Sequence, residues 1–416
     1  MRLSKSFIKT KKNTPKDEVA ENAKLLIRAG YIHKEMAGVY VYLPLGKRVL
    51  ENIAQVVREE MNAVGGEELQ MSVLQPKELW ETTDRWDDEK VDNWFKTKLK
   101  NGTELGVGLT HEEPIVDALS DYINSYKDLP VYVYQIQSKF RNEVRAKSGL
   151  MRGREFLMKD LYSLSRDEEE HERFYEKITT AYHSIYARLG IGDITYTTVA
   201  DGGIFSKYSR EFQTLSEVGE DTIYVHEKNE IAVNKEVLND EVLADLGIER
   251  SELTEETAVE VGNIFPLGSK YSDALGVFYT DENDEKHSIV MGSYGIGISR
   301  LMGLLAEHFA DEKGLVWPVD VAPFKVHLVS LPGGENQADQ LYAQLEDSDI
   351  ETIYDDRDMS AGMKLADADL MGMPLRIVCS KRTATEGKVE ASLRPTGNAE
   401  LIDTGDLSAI QKLLES

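Results

Sequence analysis

Residues 139–160 read KFRNEVRAKSGLMRGREFLMKD, and two segments of alternating polar and apolar residues flank a basic, glycine-containing loop there. The first segment ends in Arg141 and Glu143, and the second carries Arg152 and Phe156. Alternation with a period of two predicts the two strands of a hairpin. Such a hairpin aims a guanidinium, a carboxylate and an aromatic ring into one space, and arginine can bind phosphate through two parallel hydrogen bonds. A surface hairpin whose charged faces pair with each other is the alternative interpretation.

A glycine-rich stretch at residues 292–300, GSYGIGISR, is the second informative feature. Gly295 and Gly297 remove side chains where a backbone approaches a ligand or packs against a helix. Arg300 then opens an apolar stretch with helical spacing. The run is not a dinucleotide fingerprint, because no βαβ unit with a following acidic residue surrounds it. Alone, it says little about function.

The third feature is the tetrapeptide Thr-His-Glu-Glu at residues 110–113, which follows an apolar stretch and precedes Pro114. Taken alone, the pattern indicates a helix that starts at the proline, with Thr110 as its N-cap and acidic residues in the first turn. A polar pocket that uses Thr110 and Glu112 as hydrogen-bonding groups is the functional alternative.

Together and in this order, the three features resemble the class II aminoacyl-tRNA synthetases. Further strings narrow the resemblance to the bacterial type of prolyl-tRNA synthetase and cover nearly the whole chain. The matching strings are AGVYVYLPLGKRVL (37–50), LTHEE (109–113), LPVYVYQIQSKFRNE (129–143), GLMRGREFLMKDLYS (149–163), VGNIFPLGSKYS (261–272), GSYGIGISR (292–300), GLVWPVDVAPF (314–324), DDRD (355–358) and ADADLMGMPLRIVCSKR (366–382).

The resemblance implies an α+β catalytic domain built on a mainly antiparallel sheet, and a smaller α/β anticodon-binding domain with a mostly parallel sheet. It also implies an ATP-dependent attachment of L-proline to tRNA(Pro) through a prolyl-adenylate, with release of pyrophosphate and AMP. Mg2+ is expected with the triphosphate, although no ligands for it are evident from the sequence. A homodimer is implied in the same way.

Specific residues inherit roles from the resemblance. Arg141 is expected at the α-phosphate and the proline carboxylate, and it shares the catalytic role with Arg300. Thr110 and Glu112 are expected to hold the proline imino group, because a secondary ammonium offers two donors and favours a carboxylate. The expected ATP-binding set is Arg141, Glu143, Arg152, Phe156, Gly295, Gly297 and Arg300.

Contacts with tRNA are implied at two places. Arg145 and Lys147 lie in the loop that meets the acceptor stem in the family, although solvated loop charges are an equal alternative. Arg357 could read an anticodon base, since arginine pairs well with a guanine edge, or it could pair with the adjacent aspartates. These basic positions matter because the net charge of −26 is unfavourable for nucleic-acid binding. The acidic runs are interpreted as solvated faces.

The chain divides into four predicted segments. Residues 1–226 form the first part of the catalytic domain, 259–320 its second part, and 321–416 the anticodon-binding domain. Residues 227–258 form a short acidic connector, helical at most, where many bacterial members of the family carry an editing domain. A pocket that loses a few methylenes of ligand forfeits only about 1–3 kcal/mol of discrimination, so alanine would enter it. We therefore expect a separate deacylase to clear mischarged alanyl-tRNA.

Composition is consistent with a globular cytoplasmic protein. The chain has 416 residues, of which 41% are hydrophobic and 29% charged. No apolar run approaches the roughly 18 residues that a membrane span needs, and the basic N-terminus lacks the apolar core of a secretory signal. The single cysteine, Cys379, lies in an apolar run and is predicted to be buried.

Several residues depart from the family pattern. Arg210 stands where a histidine is usual near the amino-acid pocket, and Ser72, Leu109 and Asn142 stand where proline, proline and aspartate are usual. A cation beside a cationic substrate is unfavourable, so either Arg210 points away or the amino-acid choice is altered. Two other hypotheses follow: an enzyme of the same class with another amino acid, and a non-catalytic RNA-binding paralogue. The retained Arg141 and Arg300 favour the active prolyl enzyme.

Overall fold

The computed structural model describes residues 1–146, 148–202 and 208–415. Within these residues, no helix combines the length and apolar character that crossing a bilayer requires. The α-helices are α1 (Glu21–Arg28), α2 (Pro44–Ala63), α3 (Lys77–Glu81), α4 (Glu112–Leu119), α5 (Glu168–Arg188), α6 (Asp240–Leu246), α7 (Lys270–Ala274), α8 (Ile298–His308), α9 (Glu335–Asp347), α10 (Ala361–Met371), α11 (Lys381–Glu386) and α12 (Leu407–Leu414).

The strands are distributed over the whole chain. They are β1 (Ile32–Met36), β2 (Val39–Tyr42), β3 (Glu67–Glu68), β4 (Leu74–Pro76), β5 (Lys96–Lys98), β6 (Glu104–Val107), β7 (Val131–Phe140), β8 (Glu155–Ser165), β9 (Thr195–Asp201), β10 (Tyr208–Leu215), β11 (Asp221–His226), β12 (Ile231–Asn234), β13 (Thr254–Gly268), β14 (Phe278–Thr280), β15 (Lys286–Ser288), β16 (Val290–Gly297), β17 (Val326–Ser330), β18 (Thr352–Asp355), β19 (Leu375–Cys379), β20 (Lys388–Leu393) and β21 (Ala399–Asp403).

One compact unit, residues 54–146 and 153–301, is built on a nine-stranded sheet. The strand order is β10-β9-β12-β11-β13-β16-β8-β7-β3, and only the β9–β12 and β3–β7 pairs are parallel among the described strands. The mainly antiparallel sheet predicted from the sequence is therefore confirmed. Helix α5 covers one face of this sheet: Tyr132 of β7 stacks on Phe174 of the helix, with ring centroids 3.7 Å apart.

The predicted hairpin is the β7–β8 pair at the centre of the sheet. Ten residues of each strand pair in antiparallel register, from Val131 opposite Leu164 to Phe140 opposite Glu155. The second strand begins later than predicted, because Gly149–Met151 forms a 3-10 turn and Arg152 lies before β8. The β-branched and aromatic residues of β7, and the aromatic Phe156 and Tyr162 of β8, favour the strands.

The segment predicted as a helical connector is instead part of the sheet. Residues 227–258 contain β12, which pairs with β9 and β11, and the first residues of β13. The predicted boundary after residue 258 thus falls inside a strand. The only α-helix among its residues, α6, has Asn239 as its N-cap and Gly247 in the left-handed conformation at its C-cap. Val233, Val242 and Leu243 bury a small core there, so the segment folds on the sheet.

The second compact unit comprises residues 1–53, 148–152 and 302–415 of the described chain. It contains a five-stranded sheet of order β18-β17-β19-β20-β21. The predicted mostly parallel arrangement is only half right: β17, β18 and β19 are parallel, whereas β20 and β21 are antiparallel to their neighbours. The physical reason is connection length, because the eight residues between β19 and β20 are too few for a parallel crossover.

Apolar periodicity predicts strands at 375–379 and 388–393 and a final helix at 407–414, and the structure has β19, β20 and α12 with these bounds. The short helix α11 and the strand β21 were not predicted. Cys379 is buried in the core of this sheet, as predicted, and burial raises the pKa of its thiol to about 12. A neutral, buried thiol of this kind is a packing residue.

Buried His327 gives a testable pH dependence. It is 1% exposed on β17, and burial lowers its pKa to about 4. The unfolded chain, with an imidazole pKa near 6.5, therefore binds this proton first, so stability is complete above about pH 6.5 and is lost as the pH falls towards 4. The expected loss from this residue is about 3 kcal/mol.

We expect His327→Phe to flatten the fall in melting temperature between pH 7.5 and 5, measured by calorimetry. The control His33→Gln, at an exposed site, should leave this fall unchanged. Equal slopes in both variants would contradict the assignment.

Candidate active site

The candidate site lies on one face of the central sheet, formed by alternate residues of β7, β8 and β16. Because side chains alternate between the two faces of a strand, Lys139, Phe156, Met158 and Asp160 point to the same side. The register places Lys139 opposite Phe156, and it places Asp160 opposite Gly295 of β16. We call this surface the site face. Lys159, one residue along, points to the other side, where its Nζ contacts Tyr182 of α5.

Arg141 lies at the end of β7 on the site face. Its backbone N–H donates to the Arg154 carbonyl over 2.9 Å, which extends the hairpin beyond the strands. Its guanidinium carbon lies 5.3 Å from the centroid of the Phe156 ring. Burial, followed by the neighbouring Arg300 guanidinium, lowers the pKa of Arg141. The structure therefore brings the predicted cation and ring together and adds a second cation, an arrangement that favours an anion.

Glu143 is positioned by its backbone. Its N–H donates to the Arg141 carbonyl over 2.8 Å, and its own carbonyl accepts from Arg154 Nε over 2.9 Å. Arg154 thus holds the chain as it leaves β7, and the half-buried Glu143 interacts electrostatically with Arg141. This is compatible with its predicted place in the ATP-binding set.

Arg300 lies in the first turn of α8 and is held by β13. Its Nη1 donates to the backbone carbonyl of Glu260 and to Glu260 Oε2, the latter over 3.1 Å. Asn263 Nδ2 donates to the other carboxylate oxygen of Glu260 over 2.8 Å. The start of the helix is fixed by Ser299, whose Oγ accepts from the Leu157 N–H over 2.9 Å. Arg300 is therefore oriented from two strands.

Several carboxylates lie near Arg300. Burial, and then the charge of Glu260, raises the pKa of Glu211 to about 8. Asp221 also has a raised pKa, through burial first, and Gln213 Nε2 donates to both Glu211 and Asp221 over 2.9 and 3.0 Å. Burial is the largest cause of both shifts and the charge of Glu260 adds to each, so the neutral forms of Glu211 and Asp221 are favoured.

The two predicted glycines have different neighbours. A Cβ at Gly295 would lie 2.4 Å from Met158 Cε and 2.9 Å from Asn263 Oδ1, so side chains of the site face occupy that space. A Cβ at Gly297 would lie 3.1 Å from Arg300 Cβ, so the missing side chain lets the arginine pack closely. Both positions are thus tightly packed in the structure, and their predicted contact with a nucleotide stays a prediction.

The prediction of Thr110 as an N-cap is wrong. Helix α4 begins at Glu112, and its N-cap is His111, which makes no side-chain cap hydrogen bond. Thr110 Oγ1 instead lies 2.8 Å from each oxygen of the Glu112 carboxylate, and Ser293 Oγ of β16 donates to Glu112 Oε1 over 3.2 Å. The two residues expected to hold an imino group are therefore brought together.

Arg85 is a residue of the site that the sequence interpretation missed. Its Nη1 donates to Glu112 Oε2 over 3.0 Å and to Glu113 Oε1 and Oε2 over 3.1 and 2.9 Å. Thr83 Oγ1 donates to Glu113 over 2.6 Å. Burial raises the pKa of Glu113 and the charge of Arg85 opposes that shift. No local pattern marks Arg85, because its partners lie 27 and 28 residues away in the chain.

A buried polar network lies beneath Glu112. Lys139 Nζ contacts Asp160 Oδ2 over 2.8 Å and His111 Nδ1 over 2.7 Å, and His111 Nε2 lies 3.0 Å from the Ser72 carbonyl. Burial, followed by the charge of Lys139, lowers the pKa of His111 to about 4, so the imidazole is neutral. The hydroxyl of Tyr162 donates to Asp160 over 2.9 Å and accepts from the His111 N–H over 3.0 Å.

Lys159 and Asp160 both belong to the buried framework of the site. Asp160 is 4% exposed and Lys159 is fully buried. Lys159 Nζ lies 2.7 Å from the Tyr182 hydroxyl and 2.9 Å from the Tyr294 carbonyl, and burial lowers its pKa well below the usual range.

The remaining basic residues expected to bind tRNA or ATP lie in different surroundings. Arg145 and Arg152 are exposed. Lys147 lies outside the described residues. Arg357 forms ion pairs over 2.6 Å with Asp355 and 2.8 Å with Asp367, which favours the alternative that it serves the structure of its own unit.

Arg210 points away from the site face. Its Nη1 lies 2.7 Å from Glu176 Oε1 of α5, and its guanidinium lies 4.9 Å from the Tyr175 ring centroid. It lines a separate groove of about 820 Å³ together with His183. The predicted alternative in which a cation enters the amino-acid pocket thus has no support in this geometry.

Two other departures from the family pattern have local explanations. Leu109 is buried against Trp80 and Trp94. Asn142 is exposed, and its N–H donates to the Asn93 carbonyl over 2.7 Å, so the backbone and not the side chain is used.

Comparison with known proteins places this geometry in context. A family model described as the class II core domain of tRNA synthetases (G, H, P, S and T) matches residues 95–309, and an anticodon-binding domain model matches 319–413. A proline–tRNA ligase of Agrobacterium fabrum is 37% identical over 434 positions, which cover 97% of this chain and 98% of the relative.

Two further comparisons concern the length of the chain and its fold. A proline–tRNA ligase of Geobacillus is 33% identical over 575 positions that cover both chains completely, so it carries insertions that face no residue among the 416 of this chain. Among solved structures, a prolyl-tRNA synthetase of Cryptosporidium parvum in complex with L-proline and AMP has a TM-score of 0.75 at 19% identity. The match covers 95% of this chain and 74% of that one, and it shows a shared fold.

Proposed function

Since the chain belongs to the proline–tRNA ligase family of class II aminoacyl-tRNA synthetases, we propose that it attaches L-proline to tRNA(Pro) through a prolyl-adenylate. The observation that carries the proposal is the convergence of Arg141, Phe156 and Arg300 with the Thr110–Glu112 pair on one unit of the chain. Such a site offers cations for phosphate, a ring for a base and a carboxylate for an ammonium group.

In the first step, a carboxylate oxygen of proline attacks the α-phosphorus of ATP and the bond to the bridging oxygen breaks, so pyrophosphate leaves with its electron pair. Negative charge builds on the α-phosphate oxygens, and the Arg141 guanidinium stabilises it. Phe156 and Glu143 hold the adenine, the latter through the amino group. Arg300 and Arg152 hold the outer phosphates. These residues act by position and charge and form no covalent bond.

In the second step, a hydroxyl of the terminal ribose of tRNA attacks the prolyl carbonyl carbon, its proton passes to the leaving phosphate, and AMP leaves with the electron pair of the mixed-anhydride bond. Glu112 and Thr110 keep the imino group in place through both steps. Because Glu112 already accepts from Thr110, Ser293 and Arg85, its carboxylate is held in one orientation before proline binds. Preorganisation of this kind limits the entropy lost on binding.

Magnesium fits the carboxylates beside Arg300. Mg2+ is usually bound by one or two carboxylates together with substrate phosphates. Glu260 and Glu211 offer oxygen ligands only, and a bound cation would favour the ionised form of Glu211, whose pKa burial raises to about 8. When bound, the ion would neutralise phosphate charge. We assign Glu260 and Glu211 as its holders.

The tRNA is proposed to meet Arg145 and Lys147 at its acceptor end, and the unit with the anticodon-binding match at its anticodon. Arg357 forms an ion pair with Asp355, which favours a structural role over contact with an anticodon base. An anticodon-binding domain at 321–416, a homodimer and a cytoplasmic location are part of the proposal, whereas residues 227–258 join the catalytic sheet instead of dividing the catalytic domain.

The experiment that tests the function is amino-acid-dependent ATP–pyrophosphate exchange with the purified chain and no tRNA. Proline, alanine, threonine, serine and glycine are offered separately. Strong exchange with proline and weaker exchange with alanine is the expected result. Exchange that prefers another amino acid would establish the variant with altered specificity, and no exchange with any of them would overturn the proposal in favour of an RNA-binding paralogue.

Alanyl-tRNA(Pro) is expected to survive incubation with this chain. The pocket cannot exclude alanine strongly, since the missing methylenes are worth only about 1–3 kcal/mol. Residues 227–258 are occupied by β12, α6 and part of β13, which leaves no editing domain there. The measurement is the release of alanine from radiolabelled alanyl-tRNA(Pro) at enzyme excess, with buffer as the control. Hydrolysis more than about tenfold above the buffer rate would exclude the need for a separate deacylase.

A further inference from the structure

The substrate expected in the amino-acid pocket is a zwitterion, and the number of charges around Glu112 decides which ligands bind. Two adjacent glutamates, Glu112 and Glu113, are 3% and 0% exposed. Two uncompensated buried carboxylates would repel each other, and one of them would take up a proton. A pocket with a variable charge would recognise an ammonium group poorly.

The charge of Arg85 opposes this protonation. Its Nη1 reaches both oxygens of Glu113, over 3.1 and 2.9 Å, and one oxygen of Glu112, over 3.0 Å. The guanidinium carbon also lies 4.9 Å from the Trp80 ring centroid and 5.5 Å from that of Tyr271, so the cation is held between two rings. Arg85 therefore has a fixed position and matches the charge of the more deeply buried Glu113.

The other charged groups near Glu112 are already accounted for. Lys139 is compensated by Asp160 over 2.8 Å, and neutral His111 adds no charge. Arg141 faces Phe156 and is the proposed partner of the amino acid's carboxylate. One carboxylate charge therefore remains uncompensated, and it is available to the imino group.

We infer that Arg85 is a specificity-determining positioning residue, which cancels Glu113 and leaves Glu112 as the single negative charge that selects a cationic secondary amine. The inference rests on the proposed function, since it takes proline as the ligand. It goes further in assigning ammonium selection to an arginine that does not contact the amino acid. Net charge, and not the identity of either Arg85 or Glu113, is what the pocket requires.

The test compares proline with tetrahydrofuran-2-carboxylate, which has nearly the same shape but an ether oxygen in place of the charged nitrogen. The ratio between the inhibition constant of this analogue and the KM of proline in ATP–pyrophosphate exchange measures recognition of the charge. A merely structural role would weaken both ligands equally and leave the ratio unchanged. The variants are Glu113→Gln, Arg85→Met and the double variant, with Arg188→Met, which breaks the pairs with Glu59 and Glu60, as the control.

We expect Glu113→Gln, which makes the pocket neutral, to lower the ratio about tenfold with the KM for ATP changed less than twofold. The double variant, which restores one negative charge, should return the ratio to within about threefold of the unmodified chain. It also replaces the pair by uncharged groups, so it remains informative where Arg85→Met alone fails to fold. A double variant no better than Glu113→Gln would overturn the inference while leaving the proposed function intact. Absence of proline-dependent exchange in the unmodified chain would overturn both.

Discussion

Replacing Arg141 by alanine is expected to lower the rate of proline-dependent ATP–pyrophosphate exchange by about a hundredfold to a thousandfold, as is typical when one preorganised donor to transition-state charge is removed. The geometry supports an effect of this size. Arg141 is half-buried between the Phe156 ring and Arg300, and its pKa is lowered by burial and by that second cation. Two guanidiniums that repel each other favour the binding of an anion between them. Water is therefore a poor substitute for the charge of Arg141.

Two matched variants sharpen this prediction. Arg141→Lys keeps the charge but loses the planar fork, so its rate should fall between those of the unmodified chain and the alanine variant. Arg145→Ala removes an exposed cation four residues away. It should leave the exchange rate within twofold and affect only the charging of tRNA. Exchange within threefold of normal in Arg141→Ala would mean that this residue does not contact the reacting phosphate.

Replacing Lys139 by methionine is expected to destabilise the catalytic unit by about 3–5 kcal/mol, the usual cost of removing one partner of a buried ion pair. Lys139 and Asp160 are 0% and 4% exposed, and their charged atoms lie 2.8 Å apart. Without the ammonium group, the donors to the Asp160 carboxylate that remain among the described residues are the neutral groups of Gln135 and Tyr162. Unfolding in guanidinium chloride, followed by tryptophan fluorescence, measures the loss.

The control for this prediction is an exposed pair on the same unit. Arg173→Met breaks a surface pair with Glu169 on α5 and should change the unfolding free energy by less than about 0.5 kcal/mol. The double variant Lys139→Met/Asp160→Asn removes both charges and should recover at least about 1 kcal/mol of the single variant's loss. If the double variant is as unstable as the single one, the damage comes from packing and not from the uncompensated carboxylate.

Much of the fold could be predicted because its signals are local. The period-two alternation around residues 131–165 specifies a hairpin whatever surrounds it, and the structure has β7 and β8 there. The apolar periodicity that predicts β19, β20 and α12 is local in the same way. By contrast, β12 was missed: four residues in an acidic segment carry little strand signal, and they become a strand only because β9 and β11 offer hydrogen-bonding edges on both sides.

The amino-acid sequence alone identifies the chemical groups of the site and their order along the chain. Arg141, Arg300 and Phe156 can be identified because each lies within a short motif, and the same holds for the Thr-x-Glu motif at 110–112. The partners of charged residues, by contrast, follow from the fold. Arg85 reaches Glu112 and Glu113, and Arg210 turns to Glu176 on the far side of the sheet. The physical reason is that an ion pair depends on distance in space, which the folding of separate elements sets, whereas a motif depends on distance along the chain.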